Sequence, residues 1–165
     1  MYFEKFPITF FSLDDLETVQ LVRNIFLRLN INQNIKDNLA IFDEYDILDG
    51  ETPEIVADKF YRNPQLHWLI LHMNDILDPR FDWPLSHINL IRYSQSKYAN
   101  VGAIHHYIDA NGYIVNSNYA GATSVSNFDY EDELNENKRR IKVLKPQYVE
   151  AVNKEFNNKL ENING

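Results

Sequence analysis

The chain contains no cysteine, which removes disulfides and thiolate metal centres from consideration and suits folding in a reducing cytoplasm. Glycine is scarce at five residues, and none of them builds a phosphate-cradling loop. No apolar run approaches the roughly 20 residues that a membrane-spanning helix needs. The N-terminus, Met1-Tyr2-Phe3-Glu4-Lys5-Phe6-Pro7, has neither the basic region nor the long apolar region of a secretory signal. Positive charge is also in deficit, since 16 Lys and Arg face 24 Asp and Glu for a formal net charge of -8. That balance argues against an open nucleic-acid surface and against docking on anionic lipid. What is present is 165 residues that are 44% hydrophobic and 13% aromatic, enough for one ordinary domain with a packed core.

Local patterns predict a mixed succession of strands and helices. Ile8 to Phe11 reads as a strand, with Pro7 suiting an edge position. Leu16 to Leu29 follows helical spacing, with Val19, Val22, Phe26 and Leu29 on one stripe. Asn30 to Asn38 is a turn or short helix, and Leu39–Phe42 and Tyr45–Ile47 are strand pieces. Asp49-Gly50 marks a tight turn. Thr52 is placed to cap a helix that opens on Pro53 and Glu54. After the Asn63-Pro64 break, Leu66 to Met73 is apolar nearly all round, so that helix must be buried on most sides.

Asp78-Pro79 is expected to end the second helix, and Trp83-Pro84 to force an extended segment. A third helix runs from about His87 to Tyr98 behind Ser86. Asn111-Gly112 between Ile104–Ile108 and Tyr113–Val115 reads as a two-residue hairpin turn. Residues 116 to 127 are small and polar, hence a mobile loop. Asp129 to Arg140 is a dipole-complemented helix in which Glu136 can pair with Arg140. Pro146 opens a last helix carrying Tyr148, Val152, Phe156 and Leu160 as one narrow stripe.

No constellation for catalysis stands out. His67 and His72 lie about 140° apart on a helix and share no face for a metal. His105 and His106 are neighbours in a strand, where adjacent side chains point to opposite faces. There is no His-Glu-x-x-His and no Gly-x-Ser-x-Gly. The acidic cluster at 129–136 is most simply a solvated helix face. The basic run Lys138-Arg139-Arg140-Ile141-Lys142 is a helix terminus or a salt-bridged contact with an acidic protein. No catalytic residue, metal ligand or cofactor is assigned.

One stretch is specific. Tyr45-x-Ile47-x-x-Gly50-x-Thr52-Pro53-x-Ile55-x-Ala57, then Trp68 and Asn74-x-Ile76-x-x-Pro79, resembles a LysM module, a strand–helix–helix unit known for binding aminosugar polymers. The second strand that closes such a module has no counterpart after Pro79, where Arg80 to Leu85 follow. This argues against glycan binding.

The flanking motifs narrow the resemblance. Met73-Asn74-Asp75-Ile76, Trp83-Pro84-Leu85-Ser86, Gly102-Ala103-Ile104-His105-His106-Tyr107 and Leu134-Asn135-Glu136-x-Lys138-Arg139-x-Ile141-Lys142-x-Leu144-x-Pro146-x-Tyr148 join the central block. Together they resemble the LysM-like baseplate wedge subunit of contractile-tailed, T4-like bacteriophages. The resemblance implies a structural protein of the virion tail, assembled in the host cytoplasm, with no enzymatic activity and no cofactor. It implies contacts with other baseplate wedge proteins that hold neighbouring wedges together, and none with nucleic acid or membrane. Candidate partner contacts are Trp83, Arg139, Arg140, Tyr148, Val152 and Phe156; the terminal stripe fits a partner's groove or the chain's own core. The alternative is a peptidoglycan or aminosugar-binding LysM module at the host surface.

The expected fold class is α+β. It comprises an N-terminal strand and helix extension (1–38), a LysM-like module (39–85), a helix, β-hairpin and polar loop (86–128), and C-terminal helices (129–165).

Overall fold

The structure is a computed structural model and describes residues 6–12, 18–24, 27 and 33–164. It is a mixed α+β fold. In chain order the elements are β1 (Ile8–Ser12), β2 (Val19–Arg23), α1 (Gln33–Lys36), β3 (Phe42–Asp46), α2 (Pro53–Tyr61), α3 (His67–Met73) and α4 (Pro79–Asp82). Then come α5 (His87–Lys97), β4 (Ile104–Ile108), β5 (Ile114–Val115), β6 (Thr123–Ser126), α6 (Asn127–Glu136), β7 (Arg140–Leu144) and α7 (Pro146–Asn164). The sheets are β1-β2, β3-β7 and β5-β4-β6. The chain forms two compact units, Met1–Glu44 with Thr52–Leu77 and Lys142–Gly165, and Tyr45–Glu51 with Asp78–Ile141.

In the first unit, β1 and β2 pair antiparallel from Ile8↔Arg23 to Ser12↔Val19. This corrects the helix expected over Leu16–Leu29. A short apolar run satisfies both periods, and the partner strand supplies the backbone bonds that choose between them. Leu16, Ile25, Phe26 and Leu29 lie outside the described residues. Thr52 caps α2 through Oγ1, which accepts from Ile55 N–H at 3.4 Å, and Pro53 stands at the first position.

The core of this unit gathers Phe6, Phe42, Trp68, Leu69, Met73, Leu144, Val152, Phe156 and Leu160. The four-residue spacing along α7 lays Val152, Phe156 and Leu160 on that core, with Tyr148 half-buried at its margin. Tyr61, packed on the same cluster, has its hydroxyl pKa pushed up by burial.

α3 ends at Met73, several residues before the expected stop, because the Asn74 side chain takes over. Its amide donates to the carbonyls of Ile70 (2.9 Å) and Lys142 (2.8 Å) and accepts from Lys142 N–H (2.8 Å). One side chain thus caps a helix and pairs with a strand. Asp78 instead caps α4, accepting from Arg80 N–H at 3.0 Å.

In the second unit, β4 is the central strand of three. Asp109 N–H donates to Tyr113 O, and Gly112, at φ 83°, donates to Asp109 O. The hairpin loop is therefore three residues long and not two, with glycine in the left-handed position such a loop requires. The expected loop at 116–127 is also shorter than read. Thr123–Ser126 adds to β4 as β6, a pairing that its small polar residues do not announce. Ser126 then forms a capping box with Asp129 and starts α6 two residues before Asp129. That helix stops at Glu136, so Glu136 pairs with Arg139 instead of Arg140.

Between α5 and α6, Glu131 is buried and accepts from Lys97 Nζ and Tyr98 OH, both at 2.7 Å. Burial pushes the carboxyl pKa up, but the two hydrogen bonds and the nearby positive charge outweigh it and hold Glu131 below its ordinary value of 4.5. A depressed carboxylate stabilises the fold above its ordinary range and loses that contribution as pH falls through its folded range. The unit should therefore lose stability on acidification below about pH 4.5, and Glu131→Gln should flatten that loss. Thermal melts of both proteins between pH 5 and pH 3 check this; parallel curves would contradict it.

Candidate interaction surface

The residues expected to matter fall into two sets, and most of them hold the fold together. In the second unit, Tyr45 OH and Leu48 N–H both donate to Glu51 Oε2, at 2.5 and 2.9 Å, closing the turn at Gly50, whose φ is 77°. Buried Trp83 donates from Nε1 to Glu51 O at 2.7 Å, and His87 N–H donates to Asp49 Oδ1 at 2.7 Å. Ile47, also buried, donates through its N–H to Arg139 O at 2.9 Å, and Arg139 returns a bond from Nη1 to Ile47 O at 3.0 Å. Trp83 and Arg139 are thus fasteners of this turn and not open contact residues. Arg140 is exposed, 3.7 Å from Asp46, a solvated pair of small energetic weight. Pro79 opens α4.

In the first unit, Thr52, Pro53 and Ala57 build α2, and Ala57 is fully buried. Trp68 packs on Phe156 with ring centroids 4.5 Å apart. Val152 and Phe156 face the chain's own core, so the expected partner-groove role of this stripe gives way to the core role. Asn74 is the fastener described above, and Ile76 N–H donates to Leu71 O at 3.0 Å. Ile55 remains exposed. After Pro79, where a LysM module would close with a second strand and none was expected, the chain forms helix α4; β3 finds its partner in β7, far along the chain.

Two features were missed. The first is the apolar face of the β1–β2 ribbon. Side chains alternate along a strand, so Ile8, Phe10, Val19 and Leu21 share one face, and they are 62, 75, 51 and 67% exposed. The expected helix concealed it, since helical spacing scatters these residues. The second is the histidine pair. A register shift between Ile104 and His106 turns His105 out of strict alternation. The two Nδ1 atoms lie 2.8 Å apart, where opposite faces were expected. Among the described residues no group of three or more potential ligands could hold a metal ion, and no helix is long and apolar enough to cross a membrane.

Comparison with known proteins settles the family. The family described as "Base plate wedge protein 53" matches residues 12–117, well over half of the chain. The chain belongs to the baseplate wedge protein 53 family. One relative, the baseplate wedge protein gp53 of Enterobacteria phage T4, is 39% identical over 70 residues, which cover 41% of this chain. The match spans 36% of that relative's length, about a third. The family match takes in β2, the Gly50 turn, the β4–β5 hairpin and both histidines, and stops before β6.

Proposed function

We propose that this chain is a non-enzymatic structural component of a phage tail baseplate, within the virion, that holds neighbouring wedges together through contacts with other wedge proteins. The family match over residues 12–117 carries this reading. The ribbon face supports it. Four large apolar side chains on an isolated two-stranded sheet are what a protein neighbour covers, and such a ribbon is marginal in water unaided. We further read residues 39–85 as a LysM-like module reused for docking proteins, with the order β3, α2, α3 in support.

Co-expression with the other wedge proteins of the same phage tests both points. The wild-type chain should co-purify with at least one of them. The double substitution Phe10→Ser with Leu21→Ser should weaken that association by roughly tenfold or more, with the global melting temperature little changed because both side chains are exposed and lie outside the core. Undiminished association would remove the ribbon from the interface. A wild-type chain that bound no wedge protein, yet bound N-acetylglucosamine oligomers in calorimetry, would overturn the baseplate reading itself.

A further inference from the structure

The tip of the β4–β5 hairpin carries Asn111-Gly112, and both residues are exposed. An asparagine side chain ends in a carbonyl carbon that a nucleophile can attack, and the nearest one is the backbone nitrogen of the next residue. Glycine has no Cβ to shield that nitrogen or to restrict the backbone that must turn to bring it in. The sequence has one other such pair, Asn164-Gly165. What distinguishes Asn111 is the loop that holds it.

Asp109 ties this loop down. Its Oδ1 accepts from the N–H groups of Asn111 at 2.8 Å and Tyr113 at 2.9 Å, a turn that an aspartate builds on the backbone after it. Its carbonyl accepts from Gly112 N–H at 3.0 Å, and its own N–H donates to Tyr113 O at 2.9 Å. While the loop is closed, the Gly112 nitrogen is therefore engaged as a donor to Asp109. The strand beyond it is short, with β5 paired only through Tyr107↔Val115 and Ile108↔Ile114. Tyr113 and Ile114 are 70 and 76% exposed, so little packing holds this end shut. Such a segment opens locally without unfolding the rest of the chain.

We propose that Asn111 is a site of spontaneous covalent modification, gated by opening of the β4–β5 hairpin, and that its isoaspartate product releases β5 from β4. In the open loop the Gly112 nitrogen attacks Asn111 Cγ. A new C–N bond closes a succinimide ring, and the side-chain nitrogen leaves as ammonia with the proton that Gly112 gives up. Water then adds to one of the two ring carbonyls. Opening at Cγ gives aspartate, and opening at the main-chain carbonyl gives isoaspartate. Both products place a second carboxylate in the Asp109 loop. Isoaspartate also routes the main chain through Cβ and Cγ, one methylene longer, so the bonds between Asp109 and Tyr113 no longer close over three residues.

The test uses the full chain, held in warm, mildly alkaline buffer and sampled by peptide mass spectrometry that assigns each conversion of amide to acid to its residue. Asn111 should convert in the folded chain, but more slowly than in the same chain unfolded in guanidinium. Asp109→Ala, which removes the Oδ1 acceptor of two loop bonds, should convert roughly fivefold or more faster than wild type. A folded chain whose Asn111 stayed intact while the unfolded chain converted would overturn the site. Equal rates folded and unfolded would overturn the gating, as would equal rates in wild type and a folded Asp109→Ala. If that variant does not fold, the two wild-type rates decide. Hydrogen exchange of the Asp109 N–H, which Tyr113 O protects, reads the release of β5. It should be faster in the purified isoaspartate form than in Asn111→Asp, which carries the same charge on an ordinary backbone. Equal protection in the two would overturn the release.

Discussion

Phe156→Ala should destabilise the first unit by about 3–5 kcal/mol, the cost of emptying a well-packed aromatic site. Phe156 is buried against Trp68 at 4.5 Å, Phe6 at 6.4 Å and His72 at 6.1 Å, so the surrounding rings cannot all close over the gap. Whole domains are stable by only about 5–15 kcal/mol, so the loss is a large share. Urea unfolding should show a lower midpoint with little change in slope. Tyr148→Ala, at the half-buried margin, should cost distinctly less. Any loss of wedge association in Phe156→Ala should track loss of folding, which sets it apart from the ribbon double variant. A Phe156→Ala protein that melted like wild type but failed to bind would return this stripe to the interface.

Asn135→Ala should cost about 2–4 kcal/mol, with each stranded backbone group contributing about 1–3 kcal/mol. The buried Asn135 side chain accepts from Leu85 N–H at 2.7 Å and donates to Leu85 O at 3.0 Å, satisfying both polar groups of one residue. Removing the amide leaves both without that partner in a part-buried position. Asn135→Asp keeps an acceptor for the Leu85 N–H but loses the donor, so it should remain destabilised. Asn74 makes the same two-bond clamp on Lys142, but there the bonds are exposed. Water can substitute, and Asn74→Ala should cost nearer to about 1 kcal/mol. Denaturant melts of the two alanine variants compare burial directly; equal losses would refute the role given to it.

Sequence patterns located most of the helices and the strands β1, β4 and β5, but not β2 or β6. Thr52-Pro53 and Pro146 mark true helix starts because capping acts across three or four residues. β2 hid inside a helical pattern, and β6 inside a small polar stretch. β3 reaches β7 across more than ninety residues, a separation that no local pattern signals. The histidine pair depends on a one-residue register shift that no residue type signals. Among the expected partner contacts, burial separated Trp83, Val152 and Phe156 from exposed Arg140.

Composition and motif order alone carried the α+β class, the family resemblance and the absence of disulfides, since each is a property of which residues are present and in what sequence. Which strands pair, which face of α7 turns inward and where the two imidazoles meet were settled by contacts between distant segments. Spacing places a side chain on a face, but what lies opposite that face depends on the rest of the chain.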